Sequence, residues 1–201
     1  MITILFIIIF LLTALTLSTF IKSNETKIYL VVMLVSALAI LLNSNPISTP
    51  IMQGYIGLAL FFLVMIASSL KPKSNIRKKL MGLRKHYSVL GFITITPHAL
   101  YYFFDFLFND GVFTPFGILA YLIMIPLFIT SFITIRKKMK PKHWKNLQRL
   151  AYISYFLLLI HLLLHYTQRL NLMAFIALAL VYSVIKLKHL LKKRLPKLKK
   201  A

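Results

Sequence analysis

Long apolar runs alternate with polar or cationic breaks along the whole chain. Residues 2–21 are uncharged and, at about 1.5 Å per residue, reach across the roughly 30 Å of a bilayer core. The link KSNETK leads to a shorter apolar run at 28–42, which the turn-rich NSNPISTP closes. A third run covers 51–70, with Gly54 and Gly57 in its first turns, where small residues let helices approach closely. Further runs predict helices near 87–108, 116–135, 149–167 and 171–187, separated by KPKSNIRKKLMGLRKH, FNDGVFTP, RKKMKPKHWKNLQR and TQRLN. The pattern predicts an all-α fold, a polytopic transmembrane bundle of six to seven spans. The first run lacks the basic start and the A-x-A-like end of a signal peptide, so it is read as a retained helix. No internal repeat or soluble domain is visible. Residues 1–48 are expected to supply one or two helices, 49–190 the main membrane domain, and 191–201 a basic tail.

Charge adds sidedness. Of the 25 Lys and Arg residues, seven lie in 71–86, seven in 136–149 and eight in 186–201. If seven spans are drawn, all three blocks fall on one side, which the positive-inside rule makes cytoplasmic, with the N-terminus outside and the C-terminus inside. A soluble nucleic-acid binder would spread its bases over a polar surface, so nucleic acid is excluded as a partner despite the net charge of +22. Only Glu25, Asp105 and Asp110 are acidic, so anionic lipid or an acidic protein must neutralise the blocks. The absence of cysteine excludes disulfides, thiolate metal sites and iron–sulfur clusters, leaving histidine as the strong ligand. No glycine-rich nucleotide loop is present.

Of six histidines, His86, His143 and His189 lie in or beside basic segments, whereas His98, His161 and His165 fall inside predicted spans. A charged side chain at the bilayer centre costs about 2.5 kcal/mol or more, so these three are functional candidates. His98 lies 11 residues beyond Tyr87 and His161 lies 12 beyond Arg149. Both helices rise from the same face, so the two imidazoles reach one depth, about 17 to 18 Å in. Two neutral imidazoles facing each other there suit axial ligation of a heme iron, one nitrogen from each helix. Gly91 and Ser154 each precede their histidine by seven residues, about two turns, and are expected to make room for a flat macrocycle. Pro97 is expected to bend the helix before His98. The aromatic residues at 101–104, together with Tyr152, Tyr155 and Phe156, are expected to pack against the macrocycle edge. His165, one turn beyond His161, is either a substitute ligand or a polar residue at the rim. The competing reading gives these histidines only hydrogen bonds between helices.

Two motifs carry a resemblance. Trp144, Leu147, Tyr152 and His161 form W-x-x-L-x-x-x-x-Y followed after nine residues by His. Arg84 and Lys85 precede His98 by 14 and 13 residues, and YYFF follows at 101–104. Over about residues 50–190 the chain resembles the ferric-reductase-like transmembrane domain family. It is most similar there to the YedZ/MsrQ group, heme-binding membrane subunits of bacterial periplasmic methionine-sulfoxide reductase systems. The resemblance departs at Gln148, where that group carries a His, and in the basic-pair motif, whose Gly either falls on Ser88 or is displaced to Gly91. Two-heme relatives carry a second His pair 13 or 14 residues from the first. Here His86 stands 12 residues before His98 and Gln148 stands 13 before His161, so one heme is expected rather than two, with His86 and His165 as lesser metal candidates.

The resulting expectation is an integral membrane protein holding heme b on His98 and His161, with Gly91 and Ser154 beside it. It would pass electrons from the cytoplasmic side to an exterior acceptor. Arg84, Lys85, Lys145 and Arg149 are candidates for propionate or flavin-phosphate contacts. The chain has no nicotinamide or flavin domain, so the donor is a cytoplasmic flavoprotein, with flavin carried by that partner or bound at the cytoplasmic face, or else a quinol. Ferric ion, an exterior reductase subunit or oxygen would be the acceptor. The alternative is a non-redox transporter or scaffold subunit whose histidines serve packing or proton relay.

Overall fold

The computed structural model describes residues 2–42, 45–165, 176, 177, 180 and 182–184. The predicted seventh span, the basic tail and His189 otherwise lie outside the described residues. All regular structure among the described residues is helical: α1 (Ile2–Thr16), α2 (Ser18–Ser23), α3 (Glu25–Leu41), α4 (Thr49–Met52), α5 (Tyr55–Ala67), α6 (Asn75–Phe108), α7 (Pro115–Ile129), α8 (Ile133–Arg136) and α9 (Pro141–His165). By length and composition, α9 alone among the described residues is long and apolar enough to cross a membrane; α1, α5 and α7 are shorter apolar helices.

Two helices begin earlier than the apolar pattern suggests. The sequence places the start of the fourth span near 87, but α6 runs back through the basic segment to Asn75. Ser74 caps it, its hydroxyl oxygen accepting from the Arg77 amide at 3.3 Å, and the residues that follow are mostly good helix formers. Likewise α9 starts at Pro141, where the missing amide hydrogen leaves nothing unsatisfied. Hydropathy marks where a helix enters the membrane; capping marks where it begins. Pro97 sits inside α6 without interrupting it. Near it Thr94 and Thr96 return their hydroxyls to the carbonyls of Leu90 and Phe92. The third predicted span is divided instead. Gly54, with φ of 71°, takes a left-handed conformation that ends α4 and starts α5.

Helices α5 and α6 form the centre. On one side α1 and α3 pack against them, with Ala14, Leu60, Leu63, Leu83 and Tyr87 in the buried cluster. Polar ties fix this side. Tyr87 donates its hydroxyl to the Phe10 carbonyl at 2.6 Å, and Lys85 pairs with Glu25 at 2.7 Å. On the other side α7 and α9 pack together, where Ser154, fully buried, donates to the Ala120 carbonyl at 2.9 Å. At the α5–α6 crossing a Cβ on Gly57 would lie 3.0 Å from the Gly91 carbonyl oxygen, so the backbones meet where only small residues fit. Large apolar side chains stand exposed on the outside, among them Leu34 and Leu38 of α3 and Phe156 and Leu164 of α9. That inverted surface suits a hydrocarbon solvent.

Candidate functional site

A cavity of about 800 Å³ opens beside His98 and His161, bounded by α5, α6, α7 and α9. The two imidazoles come from α6 and α9, and their ring centroids are 6.3 Å apart with planes crossed at 73°. A transition metal binds an imidazole nitrogen at about 2 Å, and the ring centroid lies roughly 1 Å farther, so two rings on opposite sides of one ion have centroids about 6 to 6.5 Å apart. The same spacing also occurs in ordinary edge-to-face ring contacts. The nitrogen atoms discriminate between these readings.

His98 Nδ1 donates to the Met52 carbonyl at 2.8 Å. A carbonyl can only accept, so in the neutral ring the proton is on Nδ1 and Nε2 keeps its lone pair. This is how a ligating imidazole is oriented in metal sites, through a backbone partner on its other nitrogen. Met52 ends α4, and the left-handed turn at Gly54 brings that carbonyl against α6. The positive φ requires glycine there, and a Cβ would in addition push on the tip of the Ile95 side chain at 2.7 Å.

His161 makes no hydrogen bond through either ring nitrogen among the described residues, and its Nδ1 is buried. The orphaned atom is Nδ1, on the Gly117 side of the ring, which leaves Nε2 as the nitrogen that a ligand in the cavity would meet. Gly117 of α7 provides the seat for this ring: a Cβ there would lie 2.9 Å from Nδ1 and 3.0 Å from Cε1. The two donor nitrogens, the cavity and the two glycines together fit a planar iron macrocycle bound through both rings.

The other predicted residues divide by position. Tyr102 and Phe103 line the cavity, and the Tyr102 ring lies 4.9 Å from His98. Phe104, Tyr152 and Phe156 are exposed, and Tyr155 packs edge-on against Phe61. His165, exposed, also lines the cavity, 5.0 Å from His161 ring to ring. Gly91 is covered by the Phe61 ring, and Ser154 is committed to Ala120, so neither lines this cavity. His86 faces α3 instead: its Nδ1 lies 2.9 Å from the Tyr29 hydroxyl and 3.3 Å from Glu25. Arg84 and Lys85 sit 14 and 13 residues before His98 on α6, about 20 Å along the helix, beside a second cavity. Arg149 and Lys145 are exposed, with Arg149 donating to Asn146 at 3.3 Å.

Met52 and Gly117 were not visible as site residues in the sequence. The first acts through a backbone carbonyl, which leaves no trace in residue type. Gly117 left one faint signal, a lone glycine in an otherwise apolar helix.

The family model for the ferric reductase like transmembrane component matches residues 49–160, which takes in His98 and ends one residue before His161. An uncharacterized protein of Treponema pallidum (strain Nichols) is 32% identical over 124 residues, 56% of this chain and 34% of its own length. The chain therefore spans about a third of that relative. No solved structure matches.

Proposed function

Because the chain belongs to the ferric reductase like transmembrane component family, a family of membrane proteins with an electron-transfer role, we propose that it binds one b-type heme between His98 and His161 and carries electrons across the membrane. The observation that carries this reading is the pair of facing rings. His98 is held by the Met52 carbonyl with Nε2 free, 6.3 Å ring to ring from a His161 that makes no hydrogen bond among the described residues. Heme iron, when bound, supplies a one-electron carrier whose potential the ring partners tune.

The chain's own residues do the rest. Met52 fixes the tautomer and direction of His98, while Gly54 and Gly117 leave room for the two rings. Phe61, Ile95, Ile118 and Leu158 keep the chamber apolar and exclude water. Gln53, Tyr102, Asp105 and His165 make its mouth polar, where electrons would leave for an exterior acceptor. The opposite ends of α6 and α9 carry the basic residues that would steer an acidic flavoprotein, or flank a quinol, as donor. The resemblance of the Trp144, Leu147, Tyr152 and His161 spacing to the YedZ/MsrQ group supports reading the chain as a membrane subunit of that kind.

A reduced-minus-oxidised spectrum of protein purified from heme-replete cells tests this. A b-type α-band is expected. A colourless preparation would leave a non-redox bundle whose histidines only pack.

A further inference from the structure

Toward the basic ends of the helices a second cavity of about 420 Å³ lies among α5, α6, α7 and α9. Phe61 and Met124 line both cavities and form a shared wall. The deep part of the second is apolar, with Val64, Leu127 and Tyr155, and Arg84, Lys85 and Arg136 stand around it. It offers no imidazole among the described residues. Gln148 donates to the Thr130 hydroxyl at 3.3 Å, and His86 faces Tyr29 on the other side of α6.

The cations are not balanced from within. Lys85 is paired with Glu25. Arg84 makes no hydrogen bond or ion pair among the described residues. The Arg136 guanidinium lies 4.1 Å over the Trp144 ring, a contact that uses its face and leaves its N–H edge for another partner. Trp144 is itself fixed, donating Nε1 to the Thr130 carbonyl at 3.2 Å. The other acidic side chains are Asp105 and Asp110. Asp105 lies 21 residues beyond Arg84, about 30 Å along α6, and Asp110 follows the end of that helix. Among the described residues no carboxylate pairs with Arg84 or Arg136, which leaves both open to an anion from outside them.

We propose that this chamber is a specific site for an anionic phospholipid, with the phosphate between Arg84 and Arg136 and the upper part of an acyl chain against the apolar wall. Basic pockets between membrane helices on the cytoplasmic side recognise such head groups. Guanidinium groups bind phosphate oxygens through paired N–H donors. Free phosphate would leave the apolar part unfilled, and an acidic protein surface is too large to enter. The proposal stands apart from iron ligation, since neither His98 nor His161 lines this cavity.

The test is thermal unfolding of the full, lipid-depleted chain in uncharged detergent with added phosphatidylglycerol, phosphatidylcholine or inorganic phosphate. Phosphatidylglycerol is expected to raise the melting temperature by about 5 °C, with the other two raising it by about 1 °C or less. The gain should vanish in R84Q/R136Q and persist in K73Q/K142Q, which removes two exposed cations away from the chamber. Ala151→Phe, which fills the chamber and keeps its cations, should also abolish the gain and supplies the answer if the double arginine variant fails to fold. Equal stabilisation by inorganic phosphate would overturn the lipid assignment in favour of a free-anion site. Loss of the gain in K73Q/K142Q, or its persistence in Ala151→Phe, would reduce it to diffuse surface charge. No response to phosphatidylglycerol would also overturn it and leave the cations to an acidic protein partner.

Discussion

His98→Ala and His161→Ala are each expected to lower heme content at least about tenfold, while His165→Ala retains it. Changing even an outer-shell partner of a ligating residue typically costs 10- to 100-fold in metal affinity, so removal of an axial nitrogen should cost no less. The fold should survive both changes. His98 and His161 line an existing cavity rather than the buried cluster of α1, α5 and α6, so shortening them widens a space that is already there. His165 is exposed at the mouth and contributes no seat comparable to Gly117 behind His161. Pyridine hemochrome absorbance per mole of purified chain checks all three. Equal loss in His165→Ala would move the ligand one turn outward.

Gly117→Leu should have the next largest effect, through position rather than chemistry. A Cβ alone would stand 2.9 to 3.4 Å from three atoms of the His161 ring, closer than ordinary van der Waals contact, and the remaining leucine atoms must occupy the ring's own space. Overpacking of this kind costs about 1 to 3 kcal/mol when a site can adjust. The cheapest adjustment is to rotate His161 away, because no hydrogen bond among the described residues holds it. The expected result is a fall in heme content of about tenfold or more, with the melting temperature of the heme-free protein lowered by only about 2 to 6 °C. Gly82→Ala makes the contrast. Its Cβ would meet only the far end of Lys22, a flexible side chain that can move, so heme content should be unchanged. If Gly117→Leu binds heme normally, His161 is not seated where the structure places it.

The pairing of His98 with His161 was legible because helical rise is uniform. Counting from Tyr87 and Arg149, where the apolar runs begin, put both at one depth; counting from the helix starts at Asn75 and Pro141 would have set them three residues apart, so the edge of the apolar run was the better origin. Gly91 and Ser154 show the limit of the same arithmetic. Seven residues do return to one face, but they also move about 10 Å along the axis, out of this cavity and into contact with Phe61 and Ala120. Their smallness serves helix approach instead. The aromatic run at 101–104 was legible only in part, since consecutive helical residues point in different directions and those at 102 and 103 alone meet the cavity. His86 could not be placed from the sequence because its neighbours, Tyr29 and Glu25, come from a distant segment. The same holds for the Met52 carbonyl, which reaches His98 across 46 residues of chain through a turn that only Gly54 hints at.

The most direct measurement of the central claim is the heme stoichiometry and spin state of the oxidised, purified chain, by pyridine hemochrome assay and low-temperature electron paramagnetic resonance. Ligation by both His98 and His161 predicts one b-type heme per chain with a low-spin ferric signal, because two imidazoles fill both axial positions. A high-spin signal would mean that only one of the two rings reaches the iron, and two hemes per chain would require a ligand pair that Gln148 and His86 do not supply. Either result contradicts the account.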